Sequence, residues 1–211
     1  MTPYRIPQFL EKAFSKDFVY TDEGGLTFSF YSFDLGNLKI TNGAIVACDP
    51  FLYNHDAPFE QLFPVGEFPI QLAIAKVNTD ERVGFARISF SDQHPVAWKM
   101  ALCEGQDLST MKADEIFGFG VDAGTAAFMD MSGAEALYDF LGKEENNFNV
   151  LIDEMHKHYK DTWDWLLWEK NDANAAMFSS GWGDGYYASY VGTDANGGIC
   201  RLVMDFAIVD G

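Results

Sequence analysis

Four aspartates stand where strand-forming segments should be apolar: Asp49 after Val46-Ala47-Cys48, Asp122 after Val121, Asp130 after Phe128-Met129, and Asp205 between Met204 and Phe206. A carboxylate flanked in this way must find a partner or shift its protonation, because an unpaired buried charge is very costly. Two of the four arginines, Arg87 and Arg201, also lie inside apolar runs, and guanidinium groups suit paired, hydrogen-bonded burial. Two outcomes follow. Either these groups are neutralised by internal ion pairs and strand-end turns, or some converge on a polar pocket that holds a small ligand or a divalent cation through oxygen atoms. Arg201 and Asp205 cannot pair with each other, since four strand residues separate them by about 13 Å.

A second group is Gly181-Trp182-Gly183-Asp184-Gly185-Tyr186-Tyr187. Its alternating glycines allow positive φ or close backbone approach, leaving Trp182, Asp184 and Tyr186 as the side chains with something to present. Aromatic rings beside an acid can grip a sugar or a peptide; the alternative is a tight corner whose Trp182 caps the core. Gly120-Val121-Asp122-Ala123-Gly124-Thr125 resembles the phosphate-cradling turn of sugar kinases. It stands mid-chain without a second phosphate motif or a Walker sequence, so no nucleotide cofactor is expected.

Other chemistry is poorly represented. His156 and His158 are two apart and point to different sides of a helix, while His55 and His94 have no ligand-spaced companions, so no metal is expected. A nucleophilic pair of Cys48 or Cys103 with His55 or His94 has no local signature, and there is no Gly-x-Ser-x-Gly elbow. Asp194-Ala195-Asn196-Gly197 begins like a calcium loop but lacks the later glutamate and reads as a hairpin turn.

Composition narrows the class. With 211 residues, 48% of them hydrophobic, the chain can bury a full core, and its length fits one globular domain over 1–211. The 32 acids against 14 bases give a formal charge of −18, which repels nucleic acid and anionic membranes. Cys48, Cys103 and Cys200 are widely spaced among apolar neighbours, as buried thiols of a reducing cytoplasm would be. Residues 2–15 carry Arg5, Glu11 and Lys12 among their apolar residues, so they are not expected to act as a signal peptide, and no run of eighteen uncharged apolar residues is present.

The elements that must position these residues are mostly strands. Residues 4–14 carry an apolar stripe at helical spacing. Residues 26–35 alternate, and 38–40 lead through Asn42-Gly43 into 44–48 as a two-residue hairpin. Residues 51–66 are an irregular connection of the length that often covers a site. Runs over 68–77, 82–91 and 95–102 read as an antiparallel meander, and two short strands meet near Gly124. Residues 132–170 read as a helical insertion, with ten acids from Glu135 to Asp172 against four lysines. After Asn174 the β pattern returns.

Four blocks together, Gly43-Ala44-Ile45-Val46-Ala47-Cys48-Asp49-Pro50-Phe51, Phe63-Pro64-Val65-Gly66-Glu67-Phe68-Pro69, Phe119-Gly120-Val121-Asp122-Ala123-Gly124 and the segment from Ser180 to Asp205, resemble a largely bacterial family catalogued as domain of unknown function 4241. The resemblance spans about residues 35–208. It implies a single domain and carries no activity or site residue with it.

The expected fold is therefore α+β and mainly antiparallel β, as two packed sheets or one curved sheet, with an N-terminal helix and the helical insertion. The leading functional expectation is a cytoplasmic binding or inhibitory protein, immunity-like, whose acidic surface meets a basic protein. The competing one is a hydrolase of a small polar substrate, with or without the help of a metal ion, gathering Asp49, Asp122, Asp130 and Asp184 with Arg87 as an anion clamp. Shared, solvent-open carboxylates would favour the second; dispersed or internally matched ones favour the first.

Overall fold

A computed structural model describes residues 5–52, 57–112 and 115–209. Its strands run β1 Val19–Thr21, β2 Thr27–Ile40, β3 Ile45–Cys48, β4 Gly66–Val77, β5 Asp80–Ser89, β6 Ala97–Met100, β7 Phe119–Val121, β8 Thr125–Asp130, β9 Trp165–Lys170, β10 Ala173–Ser179, β11 Gly185–Thr193 and β12 Ile199–Asp205. The helices are α1 Met131–Lys143 and α2 Asn147–His156. The large sheet has the order β1-β2-β4-β5-β12-β11-β6, with β7 also paired to β11, and the small sheet has the order β3-β8-β10-β9. All pairings are antiparallel, so the expected α+β, mainly β fold in two sheets is what forms.

The small sheet is buried on both faces, and its sequence says why. Along β3, β8 and β10, Ile45, Phe128, Ala176 and Phe178 join the core shared with the large sheet. The alternate residues Val46, Cys48, Ala127, Met129, Ala175 and Met177 pack with Leu137, Leu151 and Met155 of the helices. Side chains of a strand alternate between faces, so a strand apolar at every position needs cover on both sides. The result is three layers: large sheet, small sheet, helices.

This layering corrects two local expectations. Asn42-Gly43 is not a hairpin turn, because β2 pairs with β4 while β3 pairs with β8, so the turn crosses from one sheet to the other. The doubly apolar β3 belongs in the middle layer, whereas β2 has an exposed face. The two short strands expected to meet near Gly124 do form, as β7 and β8, and they part there between the sheets, β7 joining β11 and β8 joining β3 and β10. The meander holds for β4 and β5 alone. The second edge of β5 is taken by β12, whose Cys200–Met204 core suits a central strand, while the largely exposed β6 sits at the sheet edge beside β11.

Both helical expectations shorten. Near the N-terminus only a 3₁₀ turn at Lys12–Phe14 forms among the described residues, since Pro7 lacks an N–H and biases Ile6 toward extended backbone; Tyr4 lies outside those residues. The insertion is helical only to His156. Asp161 turns the chain at φ 54°, and the Trp165-Leu166-Leu167-Trp168 run is strand β9. The β11–β12 hairpin stands as expected: Asp194 Oδ1 accepts N–H bonds from Asn196 and Gly198, and Gly197 supplies the positive φ.

Candidate functional site

Asp49 follows β3 on the strand face that carries Ile45 and Ala47, toward the large sheet. It is only 2% exposed. Its Oδ1 accepts the Phe51 N–H at 2.9 Å, and its Oδ2 accepts the Asp122 and Ala123 N–H groups at 3.0 and 2.8 Å. The carboxylate therefore fastens the end of β3 to the turn between β7 and β8. That turn also meets the glycine loop, because Gly124 carbonyl oxygen accepts the Ser180 N–H at 3.0 Å. Two glycine-rich blocks more than fifty residues apart in the chain are thus neighbours.

Beside Asp49 lies a cavity of about 290 Å³. Phe59, Phe119 and Tyr186 supply aromatic walls, and Ser189, Gln106 and Cys103 supply polar atoms. Gln106 Oε1 accepts the Cys103 N–H at 2.9 Å, and the Tyr186 hydroxyl, at the half-exposed rim, accepts the Gly118 N–H at 3.1 Å. Ser189 is 2% exposed and its hydroxyl has no hydrogen-bond partner among the described residues. Native proteins seldom leave a buried hydroxyl in that state.

Of the residues singled out from the sequence, the structure gathers Asp49 and Tyr186 around this cavity. Asp122 and Asp184 are exposed and flank the paired ends of β7 and β11. Trp182 is exposed as well, and the Arg82 guanidinium sits 5.1 Å from its ring centre. Asp205 accepts the Ala207 N–H at 2.9 Å at the end of β12.

Asp130 lies elsewhere and is fully buried. It caps α1 by accepting the Ser132 N–H and hydroxyl at 3.0 and 2.7 Å, and it also receives the Thr41 N–H and hydroxyl at 3.0 and 2.9 Å. Burial alone would raise its pKa, but the hydrogen bonds from Ser132 and Thr41 outweigh it and hold the group below the ordinary carboxylate range.

Arg87 and Arg201 are neighbours across the β5–β12 pair, and neither meets one of the four strand aspartates through an ion pair. Both converge on Glu11, with Arg87 Nη1 at 3.2 Å from Oε2 and Arg201 Nη2 at 3.3 Å from Oε1. Arg87 also donates to Gln71 Oε1 at 2.6 and 2.9 Å, and Arg201 to the Ser91 carbonyl at 2.6 Å. Burial lowers the Arg87 pKa, and the Glu11 charge opposes that shift.

Sequence reasoning missed Glu11, Ser189, Gln106 and the position of Cys103 on the cavity wall. Glu11 was the one acid inside the N-terminal apolar stripe, and Ser189 the one serine inside the buried run from Tyr187 to Val191; both were signals of the same kind as the strand aspartates. His156 Nε2 lies 4.0 Å from Asp164, and His158, beyond the end of α2 rather than on the helix, packs on Trp165 at 4.3 Å. His55 lies outside the described residues. Among those residues no three His, Cys, Asp or Glu side chains gather into a metal-ligand set, and no helix is long and apolar enough to cross a membrane.

No curated protein and no solved structure matches the chain. Residues 38–204 match a protein family of unknown function, DUF4241, a span that holds the Asp49 anchor, the cavity and both glycine blocks. The chain belongs to the DUF4241 family.

Proposed function

We infer that this protein is a cytoplasmic binding or inhibitory module, immunity-like, that engages a basic protein partner through its acidic outer surface. The observation that carries this reading is the state of the carboxylates. Asp49 and Asp130, the buried pair among the strand aspartates, each accept hydrogen bonds from internal donors and lie in different places, so they do not share a hydrolytic cleft.

The negative charge left over lies outside. In the helical layer and the segment after it, Glu135, Asp139, Glu144, Glu145, Asp153 and Asp161 are exposed. Their lysine neighbours are already engaged: Lys143 and Lys170 with Asp139, Lys157 with Glu154, and Lys160 with Glu81. Phe148, Val150 and Tyr159 are exposed in the same region, and apolar side chains ringed by charge are a common composition for a protein-binding patch.

The test is capture from the native host with wild-type bait and with a Glu144→Lys, Glu145→Lys, Asp153→Lys variant, each at low and high salt. A basic protein held by the wild type, weakened by salt and lost by the variant, is the expected result. A partner retained by both baits regardless of salt would overturn the electrostatic interface.

The hydrolase reading needs at least two carboxylates sharing an open cleft. Among the described residues lining the cavity, Asp49 alone carries one, and Arg87 is engaged with Glu11 and Gln71.

A further inference from the structure

We propose that the cavity beside Asp49 binds a small organic ammonium ion, its charged head between Asp49 and Ser189 and its carbon body against the aromatic walls. The inference concerns a different site from the acidic outer surface and stands without it. Asp49 is the only charged side chain among the described residues lining the cavity. Its Oδ2 accepts two N–H bonds and its Oδ1 accepts one. A carboxylate offers about four acceptor positions, so one remains on Oδ1.

Ser189 makes the same point independently. Its hydroxyl is buried, borders this cavity and has no partner among the described residues. Such a group is costly unless something supplies a hydrogen bond. The walls then select the sign of charge. Phe59, Phe119 and Tyr186 present π-systems, whose faces attract cations, and no basic side chain among the described lining residues offers itself to an anion. The volume, about 290 Å³, is at the small end of ligand cavities and fits a small molecule rather than a peptide. The net charge of −18 enriches cations around the whole protein.

The probes are choline chloride and n-butylammonium chloride, with their neutral isosteres 3,3-dimethylbutanol and n-butanol, titrated at constant ionic strength and followed by amide NMR at Gly118, Gly120 and Ser189. At least one cation should give saturable shifts with a Kd of about 1–10 mM, while the alcohols bind markedly more weakly. Ser189→Ala removes a hydroxyl that no described neighbour uses, so the fold is retained and affinity should drop about 3–10-fold. Ala47→Leu, on the strand face shared with Asp49, fills the void and should abolish the shifts while the spectrum stays dispersed. The proposal fails if the alcohols bind as tightly as the cations, if neither cation saturates these amides, or if both variants bind like the wild type. That last result would place the ions on the outer surface.

Discussion

Asp49 Oδ2 and the Ala123 amide nitrogen stand 2.8 Å apart, and this contact joins strand β3 of the small sheet to the turn from which β7 leaves for the large one. A single carboxylate thereby fixes where the two sheets part at the cavity. Because three N–H groups depend on it, Asp49→Ala should cost about 2–4 kcal/mol in urea unfolding, while Asp49→Asn, which keeps one acceptor oxygen, should cost less. Equal costs would mean that the charge, and not the acceptor geometry, matters.

Asp130 predicts an acid limit to stability. Its pKa is lower in the folded protein than in the unfolded chain, so its contribution is fully present above the unfolded-state value, near pH 4, and is lost as pH falls through the lower folded-state value. Asp130→Asn should destabilise at neutral pH by about 1–3 kcal/mol and flatten the decline of unfolding free energy below about pH 4. Parallel pH profiles for variant and wild type would show that this carboxyl is not the group titrating there.

Glu11 predicts a long-range dependence on the N-terminus. The Arg87 and Arg201 side chains are only 14% and 7% exposed, and both rely on this one carboxylate from a segment outside their own sheet pair. Removing a partner from a buried ionic group typically costs about 3–5 kcal/mol. Glu11→Ala should approach the lower end of that range, since the Glu11 side chain is itself 27% exposed. Restoring stability by the further change Arg87→Met would confirm that the loss comes from stranded cations; a double variant weaker than Glu11→Ala alone would deny it.

These three residues also mark how far the chain could be read without coordinates. The need to neutralise Asp49, Asp130, Arg87 and Arg201 was legible, because charge among apolar neighbours has few physical solutions. Which solution was not. Sequence pattern carries local period but not partner identity, so residues 4–14 read as an apolar helix stripe with no role for Glu11, and Asn42-Gly43 as a hairpin, when Asp130 in fact takes the Thr41 amide and draws the turn toward α1. The β11–β12 hairpin was readable because its turn residues act on their immediate neighbours. The cavity was not readable: Asp49, the Cys103–Gln106 loop and Ser189 come from three separate segments, and Ser189, Gln106 and Cys103 are ordinary residues until the sheets bring them together.

Gly118 and Gly120 give the last prediction, since in sequence they look interchangeable. A Cβ built on Gly118 would run into the carbonyl oxygen of Tyr187, whereas one built on Gly120 meets nothing within 4 Å. Gly118 must approach β11 closely enough for its N–H to reach the Tyr186 hydroxyl, and that approach places Phe119 on the cavity wall. Gly118→Ala therefore has to push the chain away from β11, an overpacking cost of about 1–3 kcal/mol. For a chain of this size that lowers Tm by about 2–12 °C. Gly120→Ala should leave Tm within about 2 °C of wild type, with any change upward because alanine restricts the unfolded chain. Thermal melts of the two variants side by side decide the matter. Similar losses at both positions would mean that β7 does not dock on β11 by the close approach of Gly118, and the wall that carries Phe119 would lose its structural basis.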